Sequence, residues 1–287
     1  MFLKKYRLFL FLIIILPLFY SSCNFSTSGK DKPVKIPLNP YIGRLVTVEA
    51  IVENDTIQLL LDTGGGESLI GPDIAEKINR HPTGRKIGFR MSGEQVVFQY
   101  CHDVSIVIGG ITFHHDEIGV WDIKSVLPEN VPPVDGILSL KTFRNQPFTL
   151  DLSSKSLILE TPKSLANRIE KMYRLTSRIA TGTDGSELDV FLRGRLKQNG
   201  WFLLDSGNLD AIVVSEEFVD KTSADSNKVS DINEAEINLE GLPSHLVKYR
   251  TKNIIYDGAL SEEFMREYIF TFDLSSNTVW ASQRKED

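Results

Sequence analysis

The chain has 287 residues, 41% of them apolar and 24% charged, and carries a formal net charge of −6. This is the composition of a soluble globular protein with room for one large domain or two of ordinary size, each able to bury a core. The acidic balance argues against nucleic acid or an anionic membrane surface as the main partner.

The N-terminus has its own character. Lys4, Lys5 and Arg7 precede an almost wholly apolar run from Leu8 to Phe19, and Ser21-Ser22-Cys23 closes it with small residues. This is the layout of a secretory signal rather than a spanning helix. A small residue directly before Cys23 resembles a bacterial lipoprotein cleavage site, so residues 1–23 are expected to be a leader and Cys23 to be lipidated. Tyr20 sits where that motif has an aliphatic residue. Loss of the leader leaves 29 Lys+Arg against 38 Asp+Glu, a net charge of −9. Cys101 would then be unpaired, and the fold would depend on its apolar core. The expected location is extracytoplasmic, in the periplasm or at the cell surface, with the lipid anchor as the sole membrane contact.

Residues 24–40 are polar with three prolines and are expected to be a tether. From Arg44 the pattern becomes strand, turn, strand. Val46, Val48, Ala50 and Val52 alternate, Glu53-Asn54-Asp55 turns, and Ile57 to Leu61 returns into Asp62-Thr63-Gly64-Gly65-Gly66. Gly71-Pro72-Asp73 starts a short helix. Residues 86–121 read as further strands, with Gly88 to Val97 as a hairpin. In His114-His115-Asp116-Glu117, neighbours on a strand point to opposite faces and no second cluster completes a metal site, so no metal is expected. Residues 162–182 carry Leu165, Ile169, Met172 and Leu175 at helical spacing and are expected to form a linker helix. Leu188 to Leu196, an Asn199-Gly200 turn and Trp201 to Leu204 then lead into Asp205-Ser206-Gly207, 143 positions after the first such motif.

A second repeat strengthens the first. Asp135-Gly136-Ile137-Leu138-Ser139 recurs as Asp257-Gly258-Ala259-Leu260-Ser261, and Phe148 to Ser154 recurs as Phe270 to Ser276, both at an offset of 122. The chain therefore reads as two copies of one β unit, 41–161 and 183–283, each delivering an Asp at the end of a buried strand. Two such carboxyls meeting across a pseudo-two-fold axis cannot both ionise cheaply and would share a proton. Thr63 and Ser206 supply hydroxyls able to bond across the axis, while Gly64 and Gly207 admit backbone amides close to the carboxyls.

These motifs resemble the pepsin/retropepsin-like aspartic proteases, with Asp62-Thr63-Gly64 and Asp205-Ser206-Gly207 as the catalytic pair of motifs and the two Asp-Gly strands as the second signature. The resemblance spans both lobes and implies a bilobal all-β fold with a few short helices. It further implies an aspartic endopeptidase in which Asp62 and Asp205 activate a water, with peptide or protein as substrate, no cofactor, and a monomer because both lobes share one chain. Glu67, Asp210, Ser92 and Gly93 are candidates for the substrate cleft. The departures are Gly65 and Asn208 where the family has Ala or Ser, a hairpin without the family's tyrosine although Tyr100 is near, and a trimmed hairpin in the second lobe. Two alternatives remain open. One is a catalytically silent peptide-binding lipoprotein on the same fold. The other, more remote, is an actin/sugar-kinase-like nucleotide-binding protein, suggested by the glycine run after Asp62.

Overall fold

The structure, a computed structural model, describes residues 32–182, 185, 187–219 and 232–284. It is a bilobal all-β fold in which each lobe holds one sheet and a third sheet joins them. The hairpin Val46–Val52/Asp55–Leu61 shows why the sequence takes this form: Val46, Val48, Ala50 and Val52 are buried while Glu49 and Ile51 face solvent. Its two-residue loop places Glu53 at φ 55°.

The matching hairpin of the second lobe pairs Asp189–Arg195 with Asn199–Leu204. Its loop is Leu196 to Gln198, not Asn199-Gly200. Gly200 lies in the strand opposite Gly194, where a side chain would meet the Phe218 ring at 2.4 Å and the Asp257 carboxylate at 3.0 Å. Close packing, and not a turn, is what this glycine serves.

In each lobe the repeated Asp-Gly strand lies parallel to the strand that ends in Asp62 or Asp205. Gly136–Leu138 aligns with Leu59–Leu61, and Gly258–Leu260 aligns with Phe202–Leu204. The preceding aspartates do the same work: Asp135 accepts a hydrogen bond from the Gln58 N–H, and Asp257 one from the Trp201 N–H, both at 2.8 Å.

The joining sheet runs in the order Val34–Pro37, Ser156–Leu159, Phe148–Asp151, Tyr268–Asp273, Thr278–Gln283, Tyr173–Leu175. At its centre Phe148–Asp151 pairs antiparallel with its own repeat, and Thr149 stands opposite Thr271 with their hydroxyls 2.8 Å apart. Since these threonines are equivalent positions, the pseudo-two-fold axis passes between them. Phe148 and Phe272 stack beside it at 4.7 Å.

Two expected segments are corrected. The tether over 24–40 contains strands, because Ile36 and Leu38 are 5% and 3% exposed and Val34–Pro37 pairs with Ser156–Leu159. The helix expected over 162–182 is Pro162–Ile169 alone, started by a Thr161/Ser164 capping box. None of its side chains is buried, and the chain then extends as Tyr173–Leu175 and Ser177–Ala180 to pair with sheet edges. The helical spacing there loses to strand partners distant in sequence. The leader 1–23, Cys23 and residues 24–31 of the tether lie outside the described residues.

Candidate functional site

The two Asp motifs meet at the lobe boundary through a closed set of four hydrogen bonds. The Thr63 N–H donates to Ser206 Oγ at 3.0 Å, and the Ser206 N–H donates to Thr63 Oγ1 at 2.9 Å. Each hydroxyl then donates to the opposite strand, Thr63 to the Leu204 carbonyl at 2.6 Å and Ser206 to that of Leu61 at 3.3 Å. Thr63 is 0% and Ser206 3% exposed, so neither has water to replace these partners, and Met265 Sδ, 3.9 Å from Thr63 Oγ1, is a weak addition.

This clamp sets the carboxyls. Asp62 accepts from the Gly64 N–H at 3.0 Å, and Asp205 accepts from Gly207 at 2.8 Å and Asn208 at 3.1 Å. The glycines also face the opposite acid: a Cβ on Gly64 would sit 2.7 Å from the Asp205 carboxyl carbon, and one on Gly207 3.0 Å from an Asp62 oxygen. The glycine run after Asp62 has a structural cause too. Gly66 has φ +57° and its carbonyl accepts the Leu188 N–H at 2.9 Å, tying the first turn to the second lobe.

Around the pair lies a cleft of about 540 Å³. One wall, from the first lobe, is apolar and includes Leu60, Trp121, Ile123, Leu127 and Ile137. The opposite wall carries Glu187, Asp189, Leu203, Ile255 and Tyr256. The hairpin Thr83–Phe89/Gln95–Ile108 forms the roof. Its tip reaches the second lobe, where Met91 packs with Phe191, Leu203 and Ala259 and its carbonyl accepts the Ile255 N–H at 3.0 Å. The second-lobe hairpin Asn233–Leu239/His245–Lys252 contributes nothing to the lining, which makes the cleft asymmetric.

The electrostatics follow from burial. It raises Asp62 above the ordinary carboxylate range, against the pull of the Gly64 and Gly207 amides. Asp205 is raised as well, first by burial and then by Asp62. A third acid, Asp189, is pushed up to about 7 by burial and then by Glu187 and Asp62. Its Oδ1 is buried without a hydrogen-bond partner among the described residues. Tyr256 is raised by burial and then by Asp189, Glu187 and Asp205. Among the described residues no cation is a cause of the shifts of Asp189, Asp205 or Tyr256.

A raised acid binds its proton more tightly folded than unfolded. The contribution of Asp189 is therefore most favourable below its unfolded value and is lost as pH climbs from about 4 to about 7. Asp189→Asn should thus gain stability over the parent protein at about pH 8 and show little difference at about pH 4, as read from urea midpoints at the two pH values. A gain independent of pH would contradict this.

Of the other sequence candidates, Glu67 lines the cleft. It is 5% exposed, takes Lys141 Nζ on both oxygens at 2.7 and 2.8 Å, and is still pushed up to about 7 because burial outweighs that ion pair. Asp210 does not line the cleft. It binds Arg250 at 2.9 Å and Lys252 at 2.8 Å, and although burial alone would raise it, these bonds and the Ala211 amide hold it below the usual range. Ser92 and Gly93 belong to the hairpin tip and are not part of the lining. His114 is exposed while His115 is 5% exposed with Nε2 3.4 Å from Thr142 Oγ1, so the pair does split across the strand. Among the described residues no group of three or more His, Cys, Asp or Glu side chains could hold a metal ion.

Sequence reasoning missed Asp189, Glu187, Tyr256, Met91 and Lys141. A signal existed for the first two: Glu187-Leu188-Asp189 alternates into a strand, which puts both carboxylates on one face.

No family model matches the chain, and no curated protein matches it. Solved structures do. Basic 7S globulin from soybean superposes with a TM-score of 0.52 at 11% identity, covering 88% of this chain and 95% of that one. Conglutin gamma, a basic 7S globulin from lupine seeds, gives 0.56 at 12% identity over 89% and 96% of the chains. The structure titled edgp gives 0.55 at 11% identity over 88% and 94%.

These likenesses share the fold, and they correct the expected identity. The resemblance to pepsin/retropepsin-like aspartic proteases has no family or curated match behind it, and the structures above are titled as globulins or without an activity, none as a peptidase. The assignment as an aspartic-type endopeptidase is withdrawn with it. The matches likewise carry nothing of the expected secretory signal, membrane anchor or periplasmic location. Among the described residues no helix is long and apolar enough to cross a membrane. In place of the kinase-like alternative, the glycine run sits in a bilobal all-β fold, where the Gly64 N–H donates to Asp62 and the Gly65 and Gly66 carbonyls accept the Glu67 and Leu188 N–H groups.

Proposed function

We propose that the chain binds peptides without hydrolysing them, taking an extended segment into the cleft between its lobes. The observation that carries this is the cleft itself: about 540 Å³, apolar on one wall, floored by two glycine turns and roofed by a hairpin. Its lining includes Gly64, Gly65, Gly66, Gly88 and Gly207. Where side chains are missing, a ligand's main chain can approach the protein's main chain and hydrogen-bond to it, as extended peptides do. Two carboxyls sharing a proton can donate as well as accept, which suits peptide carbonyls and amides. The solved structures that share the fold, named as globulins or without an activity, support the silent reading.

The test is to incubate the protein with a mixed peptide library, separate bound from free by size exclusion, and weigh the bound peptides by mass spectrometry. Recovery at the input mass is the expected result. Fragments with new termini would overturn the silent reading, and no retention at all would overturn binding. Gly88→Phe serves as the blocked control, because position 88 faces the cleft and a side chain there starts 3.5 Å from Phe98 in ordinary contact. It should fold normally and lose at least about tenfold in peptide affinity, equivalent to about 1.4 kcal/mol.

A further inference from the structure

A second cavity, of about 920 Å³, lies on the first lobe beside the roof hairpin and shares no lining residue with the cleft. Its charge runs against that of the chain, which has 38 acidic and 32 basic residues. Four cations line it, Arg85, Lys86, Lys141 and Arg144, against two carboxyls, Asp116 and Glu117. Lys86 pairs with Glu117, and Lys141 is taken by Glu67. The Asp116 side chain is 97% exposed and lies 3.7 Å from His114. Arg85 and Arg144 are exposed, and among the described residues neither side chain has a hydrogen-bond or ion-pair partner.

The placement of Arg85 is built into the backbone. Thr83 stands opposite Tyr100 and Lys86 opposite Phe98, so the strand Thr83–Phe89 carries one extra residue between them. Gly84, at φ +58°, supplies the left-handed conformation of this bulge, and a Cβ there would strike the Tyr100 ring at 2.5 Å. Regular alternation would send Arg85 and Lys86 to opposite faces, yet both line this cavity. The Lys86 ammonium lies 5.0 Å from the Tyr100 ring centre, which together with Glu117 fixes it as wall. Arg144 arrives from a separate element, at the end of the short helix Leu140–Phe143.

We propose that this cavity is a second binding site, for an acidic segment of a partner protein whose two carboxylates reach Arg85 and Arg144 together. A guanidinium presents a planar fork of donors that matches a carboxylate. Two such forks on one concave surface, each without a partner among the described residues, suit a doubly acidic ligand. A volume of about 920 Å³ is at the upper end of what encloses a whole small molecule, which favours a chain segment over a single ion. Asn145, also exposed in the lining, can hydrogen-bond the segment's main chain. Nucleic acid is disfavoured, because the chain's net charge is −6 and two carboxyls stand in the same lining. The site does not depend on what the cleft binds.

The test is fluorescence anisotropy of the full chain with a labelled peptide of alternating glutamate and glycine, compared with the same peptide carrying glutamine. The parent protein should bind the glutamate peptide at least about tenfold tighter, and added salt should weaken that binding. Arg85→Gln and Arg144→Gln should each lower the affinity about tenfold, and the two together should abolish the preference over glutamine. Arg195→Gln removes the same charge from an exposed position outside both cavities and should keep the preference intact. An equal loss with Arg195→Gln would show attraction to the protein's charge at large and overturn the site. Inorganic phosphate or a sulfated oligosaccharide displacing the peptide at a lower concentration than unlabelled peptide would assign the cavity to another anion, and overturn the proposal. Glutamate and glutamine peptides binding the parent equally would overturn it without any variant, so a poorly folded variant could not hide the answer.

Discussion

Gly136→Ala should cost the fold about 3 kcal/mol or more, at the upper end of what overpacking a core position costs. The added Cβ would fall 2.1 Å from the Leu69 carbonyl oxygen and 3.0 Å from the Ile70 Cα. Both are backbone atoms of a neighbouring strand, so no side chain can turn aside. Gly136–Leu138 is held between Leu59–Leu61 on one edge and Leu69–Ile70 on the other, and the Gly71 N–H ties the junction to the Asp135 carbonyl at 2.7 Å. Room for the methyl can come only from parting these strands, which carry Asp62 and the turn after it. The repeat supplies an internal comparison. At Gly258 the new Cβ would meet the Phe202 ring at 2.7 Å and the Val213 carbonyl at 3.0 Å. A ring can shift where a carbonyl in a ladder cannot, so Gly258→Ala should cost clearly less. Urea denaturation of the two variants measures the difference. A loss below about 1 kcal/mol at position 136 would contradict the packing described here.

Thr63→Val should be almost as costly despite its nearly unchanged shape. The hydroxyl lost is fully buried, and it both donates to the Leu204 carbonyl and accepts from the Ser206 N–H. Its removal strands two buried backbone groups, each carrying a desolvation penalty of about 1–3 kcal/mol, for a total of about 2–6 kcal/mol. Ser206→Ala should cost less, because the Ser206 hydroxyl donates over 3.3 Å where that of Thr63 donates over 2.6 Å. The double variant should fall short of the sum of the two, since both hydroxyls belong to one closed set of bonds. Strict additivity in a double-mutant cycle would show that the two sides of the clamp act independently.

Much of the architecture could be read from the residues because it was written twice. Asp62 and Asp205 stand in matching strings, Asp135 and Asp257 accept the same kind of backbone bond, and Thr149 meets Thr271 across the axis. Local strings record local geometry, and duplication made the record visible. What failed depended on distant partners. Residues 162–182 carry Leu165, Ile169, Met172 and Leu175 at helical spacing, yet Tyr173–Leu175 and Ser177–Ala180 are drawn out as strands by Val279–Ala281 and Asp189–Leu192. Asp210 occupies the same offset as Glu67 from its motif, but Arg250 and Lys252 take it away from the cleft. Glu67 stays because Lys141, 74 residues later, reaches it beneath the first turn. No spacing rule foretells which cation a register will bring. Glu187 and Asp189 lie outside both repeated motifs, and their alternation into the strand Asp189–Arg195 is the local sign that they share a face. The expected peptidase came from likeness of motif, and a motif fixes the geometry of two clamped turns, not the reaction carried out between them.

The strand Phe148–Asp151 has a consequence for how such a chain can be assembled. It pairs with its own repeat about a single point, Thr149 against Thr271, with Phe148 facing Phe272 and Leu150 facing Phe270. An edge that recognises its own copy is self-complementary, which is the requirement for an isologous contact between identical subunits. A half-length polypeptide ending near residue 161 would carry this edge uncovered and would associate with a second copy through the same ladder, in proportion to its concentration. In the present chain the connection through Pro162–Ile169 and Tyr173–Leu175 supplies the second copy permanently. The molecule is, in mechanical terms, a dimer whose partner cannot diffuse away. Once association is guaranteed, the two halves no longer need to match, and each cleft wall is free to acquire a chemistry of its own.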